Sequence, residues 1–171
     1  MYSDIVRLLD SEEPIPRETV RQWIATGDLQ THGGVFALLE RAPERVEPPL
    51  PPHERMDFAR RYLLRCILEN PRPSDAMHGG WQAAWALAAK LKEWRRAGGR
   101  TADQLRGVAI ELERLYRRGD PATQNRILCG VLEHAFEEPA LRPYFVDWER
   151  DAELRDAYRL AVEWGDTHAG S

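Results

Sequence analysis

From Glu54 to Phe136 the apolar residues return every three or four positions, and Gly, Pro and Asp cut the pattern into pieces the length of single helices. A chain written this way can bury its apolar side chains only as helices packed on helices. Met56, Ala59, Tyr62, Leu63, Cys66 and Ile67 form one stripe on a helix expected over Glu54–Asn70, with Pro71 as its stop. Trp81, Ala84, Trp85, Ala88, Leu91 and Trp94 form the next over Trp81–Ala97, closed by Gly98-Gly99, and its small residues permit close helix approach. A third stripe, Leu105, Val108, Ala109, Leu112, Leu115 and Tyr116, has Thr101 as its expected N-cap and runs to Gly119. Asp120-Pro121 then opens a helix carrying Ile127, Leu128, Val131, Leu132, Ala135 and Phe136. After a turn-rich segment between Pro139 and Pro143 and the aromatics Tyr144, Phe145 and Trp148, Asp151 is placed to cap a last helix with Leu154, Tyr158, Ala161, Val162 and Trp164, closed by Gly165.

The first 47 residues hold three shorter candidates, Ser3–Leu9, Arg17–Thr26 and Val35–Arg41. Glu47 to Pro52 reads EPPLPP, which cannot propagate a helix. The expected organisation is an N-terminal helical cap over 1–47, a Pro-rich linker over 48–52 and a main helical domain over 53–171, together one compact unit. The fold class is all-α: a helical bundle or a short stack of antiparallel helical hairpins, with about five main helices plus the short N-terminal ones. Strand patterning is nearly absent.

Composition decides among function classes. With 43% hydrophobic residues and six Trp, the 171-residue chain can bury a core and is not of the disordered class. Its net charge of −4 has the wrong sign for a general nucleic-acid binder, so no nucleic-acid partner is expected. No apolar run approaches the ~20 residues of a membrane span, and no signal peptide is evident, so the expectation is a cytoplasmic protein without a membrane partner. Cys66 and Cys129, both in apolar helical stretches, read as reduced core residues.

Charge is unevenly spread. Residues 1–54 carry 5 basic and 10 acidic side chains, residues 55–118 carry 14 and 7, and residues 133–171 carry 4 and 10. The acidic ends either fold back on the basic middle or present a face to a cationic partner. The most site-like segment is Gly130 to Glu138, where a helix would bring His134 beside Glu138 and Glu133 beside Glu137. Glu111, Glu113, Asp75 and His78 offer no matching ligand set, so the expectation is no metal, no cofactor and no catalytic residue. The His78-Gly79-Gly80-Trp81 lead into a helix could hold an anion on backbone amides, but lacks a phosphate-loop pattern. Most of the aromatic residues lie on the stripes and read as core, whereas Trp148, set among acids in VDWERD, is a candidate interface anchor.

The run LERLYRRGDPATQNRILCGVLEHAF from Leu112 to Phe136, with Tyr116, Gly119-Asp120, Gly130 and Leu132-Glu133-His134 leading into an aromatic, and with Trp148 and Trp164 beyond it, resembles small all-helical bacterial immunity proteins encoded beside secreted polymorphic toxins. The resemblance covers residues 105–165. It implies a non-enzymatic protein that binds and neutralises a cognate toxin, often a basic nuclease or another effector, and it carries no agreed binding residues. The residues themselves offer a partly acidic partner-binding surface of Glu133, Glu137, Glu138, Asp147, Trp148, Glu149, Asp151 and Glu153. Two other classes stay open: a helical adaptor for protein interaction, and a small metal-dependent enzyme built around His134.

Overall fold

A parallel pairing two residues long, β1 (Ile15–Pro16) against β2 (Val46–Glu47), is the only sheet among the described residues, and helix supplies the rest of the regular structure. The computed structural model describes residues 5, 7, 11–98 and 101–169. The chain is all-α, as its periodicity requires. The expected helix Ser3–Leu9 falls mostly outside the described residues; of it only Ile5 and Arg7 are described, both helical.

Two compact units divide the chain: Met1–Cys66 with Asn70–Gly79, and Ile67–Glu69 with Gly80–Ser171. The division therefore does not fall at the Pro-rich stretch 48–52. Those prolines instead lead directly into α3 (Pro52–Glu69), whose first turn places Pro52 where no backbone donor is needed. Leu50 within the stretch is buried.

In the first unit, α1 spans Arg17–Thr26, as expected, and α2 spans Leu29–Arg41. The second begins six residues before the expected Val35, because Asp28 caps it by accepting from the Thr31 N–H at 2.7 Å. The His32-Gly33-Gly34 stretch, outside the expected helix, is helical. A Cβ on Gly33 would lie 1.9 Å from the Ala76 carbonyl oxygen, so the missing side chain is what lets residues 70–79 pack there. The core of this unit is aromatic. Phe36 lies 5.2 Å from Tyr62 and 5.3 Å from the His78 ring, and Phe58 stacks on Tyr62 at 6.3 Å. Phe58, absent from the expected stripe, is buried, while Met56 is only half-buried. Asn70, with φ of 45°, ends α3 in the left-handed region that asparagine tolerates, one residue before the proline.

The second unit contains α4 (Gly80–Ala97), α5 (Thr101–Arg118), α6 (Pro121–Asn125), a π-helical stretch Arg126–Leu132, α7 (Glu133–Phe136), a 3-10 segment Pro139–Phe145, α8 (Val146–Arg150) and α9 (Arg155–His168). Asp120 caps α6 by accepting from the Thr123 N–H at 2.7 Å, with Pro121 in the first turn, as expected. Thr101 is not the cap of α5: it is already helical, and its hydroxyl donates to the Gly98 carbonyl at 3.1 Å. Asp151 accepts from the N–H groups of Glu153 and Leu154, stabilising a turn that precedes α9. Gly165 does not close that helix, which continues to His168; a Cβ there would meet the Phe136 carbonyl oxygen at 2.4 Å, so the glycine sets how closely α9 approaches α7.

Arg126 is a cation in the core, 5% exposed. Its Nε donates to the Ile67 carbonyl at 2.9 Å and its guanidinium to the Thr123 hydroxyl at 2.9 Å. Ile67 lies in the last turn of α3, whose carbonyls have no partner within the helix, so Arg126 caps that end from the side. Cys66 is buried and in no disulfide, but Cys129 is only half-buried, in contrast to the core position expected for both.

Candidate functional site

On α4 the core is formed by Gly80, Ala83, Ala84, Leu87, Ala88, Leu91 and Trp94. Ala83 and Leu87 pull the centre of that arc away from the tryptophans, because each helical step turns the side chain by about 100°. Trp81 and Trp85 therefore fall on the flank. They are 37% and 51% exposed, which corrects their expected place in the core, and their rings lie 6.2 Å apart. Gly130 in the π-helical stretch sits against this flank: its Cβ would lie 2.6 Å from that of Ala84 and 3.4 Å from the Trp81 ring. The small residues of α4 thus bring the π-helical turn close, with the Trp81 ring against its edge and Trp85 left outside the contact. π-turns of this kind recur at functional positions.

Beside Trp85 a groove of 420 Å³ is lined by Trp85, Ala88, Ala89, Lys92 and His134. Glu137 ties its polar wall together. Lys92 Nζ donates to Glu137 Oε2 at 2.6 Å, and His134 Nδ1 lies 2.9 Å from Glu137 Oε1. A carboxylate only accepts, so Nδ1 carries the hydrogen. Burial works to raise the Glu137 carboxyl, but the bonds from Lys92 and His134 outweigh it and hold the group below its ordinary value. On the other side of His134 the Trp164 ring stands edge-on at 6.3 Å, and Trp164 in turn stacks on His168 at 3.9 Å. Trp164 is 37% exposed, again outside the core where its stripe placed it, and Leu160 one turn earlier is also exposed.

The sequence-expected site behaves differently. His134 pairs with Glu137, three residues on, and not with Glu138; Glu138 is held by Arg96 at 2.8 Å. Glu133 lies near Cys129, whose thiol is pushed up to about 11, first by burial and then by the Glu133 charge. Asp151 and Glu153 both pair with Arg117, at 2.5 Å each. The Arg117 bond, with a backbone N–H from Glu153, keeps the Asp151 carboxyl below its usual range. Lys92, Arg96 and Arg117 belong to the basic middle of the sequence and Glu137, Glu138, Asp151 and Glu153 to its acidic end, so folding back accounts for much of the charge segregation. Asp147 and Glu149 remain exposed and make no ion pair with a described residue.

Trp148 is not an exposed anchor. It is 1% exposed, packed edge-on against Tyr116 at 5.4 Å and Phe145 at 6.3 Å. The short α8 turns it inward while its acidic neighbours Asp147 and Glu149 face out. His78, considered above for anion binding, belongs to the first unit: the Tyr62 hydroxyl accepts from its backbone N–H at 3.0 Å and lies 3.1 Å from its Nδ1. Among the described residues no three His, Cys, Asp or Glu side chains gather as metal ligands. No described helix is long and apolar enough to cross a membrane. In comparisons with known proteins the chain matches no family model, no curated protein and no solved structure.

Proposed function

We propose that this chain acts by binding a protein partner through the tryptophan-lined face of its second unit, and that it does so as an immunity protein neutralising a cognate toxin. The observation that carries the reading is the exposed pair Trp81 and Trp85, flanked by a groove and continued past His134 by Trp164. Large aromatic side chains left at a surface beside fixed polar groups are the residues that dominate binding energy at protein interfaces. The likeness of residues 105–165 to immunity proteins supplies the toxin as the class of partner.

The acidic surface enters this reading in reduced form. Glu137, Glu138, Asp151 and Glu153 are already paired, which leaves half-buried Glu133 and the exposed Asp147 and Glu149 as the charges able to steer a cationic toxin. Coexpression with the C-terminal domain of the product of the adjacent gene, as the candidate toxin, tests the reading. Wild-type protein restores growth and co-purifies with the toxin, and Trp85→Ala loses both while remaining folded. Growth that stays poor despite good expression of the wild-type protein contradicts neutralisation. Capture of several host proteins without rescue of growth points instead to an adaptor.

A further inference from the structure

We propose that residues 71–78 form a strap on the first unit that opens when the His78 ring takes up a proton. The strap is a self-contained piece of backbone. Asn70 ends α3, Pro71 and Pro73 restrict the chain beyond it, and Ser74 and Met77 exchange backbone hydrogen bonds of 2.9 and 3.2 Å across a turn. Among the described residues, none of 71–77 makes a hydrogen bond or ion pair outside that turn. Arg72, Pro73, Ser74 and Asp75 are exposed, and Ala76 meets α2 by packing over Gly33. His78 is the polar attachment. The Tyr62 hydroxyl, on α3, accepts from its backbone N–H at 3.0 Å and lies 3.1 Å from its Nδ1, so one residue carries both bonds. A segment with little buried surface and one polar anchor opens at lower cost than the helices under it.

Protonation acts on that anchor. In the neutral ring Nδ1 can serve Tyr62 as acceptor or as donor. The charged ring carries a hydrogen on both nitrogens, so Nδ1 only donates and the Tyr62 oxygen would have to accept twice. The charge would also lie against the Phe36 ring at 5.3 Å and the Tyr62 ring at 5.7 Å, with part of its water removed. The titratable groups around the ring do not compensate. On α3 they are Tyr62, which burial pushes up so that it stays a neutral phenol, and Cys66 beside it. On α2, Glu40 favours the charged ring but is outweighed by burial, which holds His78 below its ordinary value of 6.5. Arg72 and Asp75 of the strap itself are exposed. In the open strap the ring regains water and its ordinary affinity for a proton. A falling pH therefore favours the open form and a rising pH the closed one. Opening uncovers the side of the Phe36 and Tyr62 rings that His78 covers.

Backbone hydrogen exchange of the full chain from about pH 7.5 to about pH 5, corrected for the intrinsic rate at each pH, tests the strap. Protection of the His78 N–H should fall below pH 6.5 by up to about tenfold per pH unit, the effect of one proton, while the Leu38 N–H within α2 keeps its protection. In His78→Gln, which keeps a neutral polar group, the N–H at position 78 should lose this pH dependence. Tyr62→Phe, which keeps the ring and drops the hydroxyl, should leave the His78 N–H less protected at every pH. An equal loss at Leu38 would mean that the unit unfolds as a whole, and it overturns the proposal. So does wild-type protection that ignores pH, a pH dependence that survives His78→Gln, or full protection in Tyr62→Phe.

Discussion

Gly165→Ala places a methyl group where α9 crosses α7. The new Cβ would lie 2.4 Å from the Phe136 carbonyl oxygen, 2.6 Å from its carbon and 3.0 Å from the Glu137 nitrogen. Unstrained heavy-atom contacts sit near 3.5 Å, so the two segments must part by about 1 Å. All three opposing atoms are backbone and cannot rotate away. Alanine would stabilise the helix itself by about 1 kcal/mol. Against this, overpacking of a fixed contact costs about 1–3 kcal/mol, and a gap of that size forfeits up to about half of each dispersion well along the seam. The seam includes the Phe136–Tyr158 ring pair at 5.3 Å, and Ala157 and Ala161 of the same helix are buried. The net expectation is a loss of about 1–2 kcal/mol, or a Tm lower by about 2–8 °C for a chain of this length. Thermal unfolding monitored by circular dichroism measures it, and the fluorescence of neighbouring Trp164 should shift in the folded variant. A Tm equal to or above that of the wild type would refute the close-approach argument.

Three further outcomes follow from the same geometry. Arg126→Met fills similar volume but strands the Ile67 carbonyl and the Thr123 hydroxyl; it should lower stability by about 2 kcal/mol, read from the urea midpoint at unchanged m-value. Asp28→Ala removes the cap of α2 and should cost about 1 kcal/mol in the same assay, with Asp28→Asn recovering most of it. Burial lowers the His32 and His78 imidazoles below 6.5, so the unfolded chain takes up protons that the folded rings refuse. Their contribution is complete above pH 6.5 and declines as pH falls below it; the His32→Asn, His78→Asn double variant should show a flatter dependence of Tm on pH across that range, and an unchanged slope contradicts the assignment.

The helices were largely legible in the sequence because period and punctuation agree: Arg17–Thr26, the turn at Asn70 that ends α3, and the Asp120-Pro121 start all stand where the residues place them, while α3 begins at Pro52, two residues before the expected Glu54. The early start of α2 was hidden because Gly33 and Gly34 are poor helix formers, and only the Ala76 backbone packed against Gly33 reveals why glycine belongs in that helix. The candidate site was less legible. Trp81, Trp85 and Trp164 share the spacing of their core neighbours, and a stripe of apolar residues does not say which edge of it faces water. Ala83 and Leu87 were the available signal, since including them rotates the buried arc of α4 away from Trp85. Trp148 misled in the opposite direction: acidic neighbours suggested exposure, but a short helix separates inward and outward side chains within three residues. The ion pairs of Glu137, Glu138, Asp151 and Glu153 depend on helices distant in sequence, which local spacing cannot report.

The binding face is tested most directly by the dissociation constant for the partner that coexpression identifies, compared between wild type and the Trp81→Ala, Trp85→Ala double variant. An interface anchored on these rings predicts weakening by about 30-fold or more, the effect of losing a hot spot of 2 kcal/mol, while Glu149→Lys changes mainly the association rate and its salt dependence. Affinity unchanged in a folded double variant would place the interface elsewhere on the molecule.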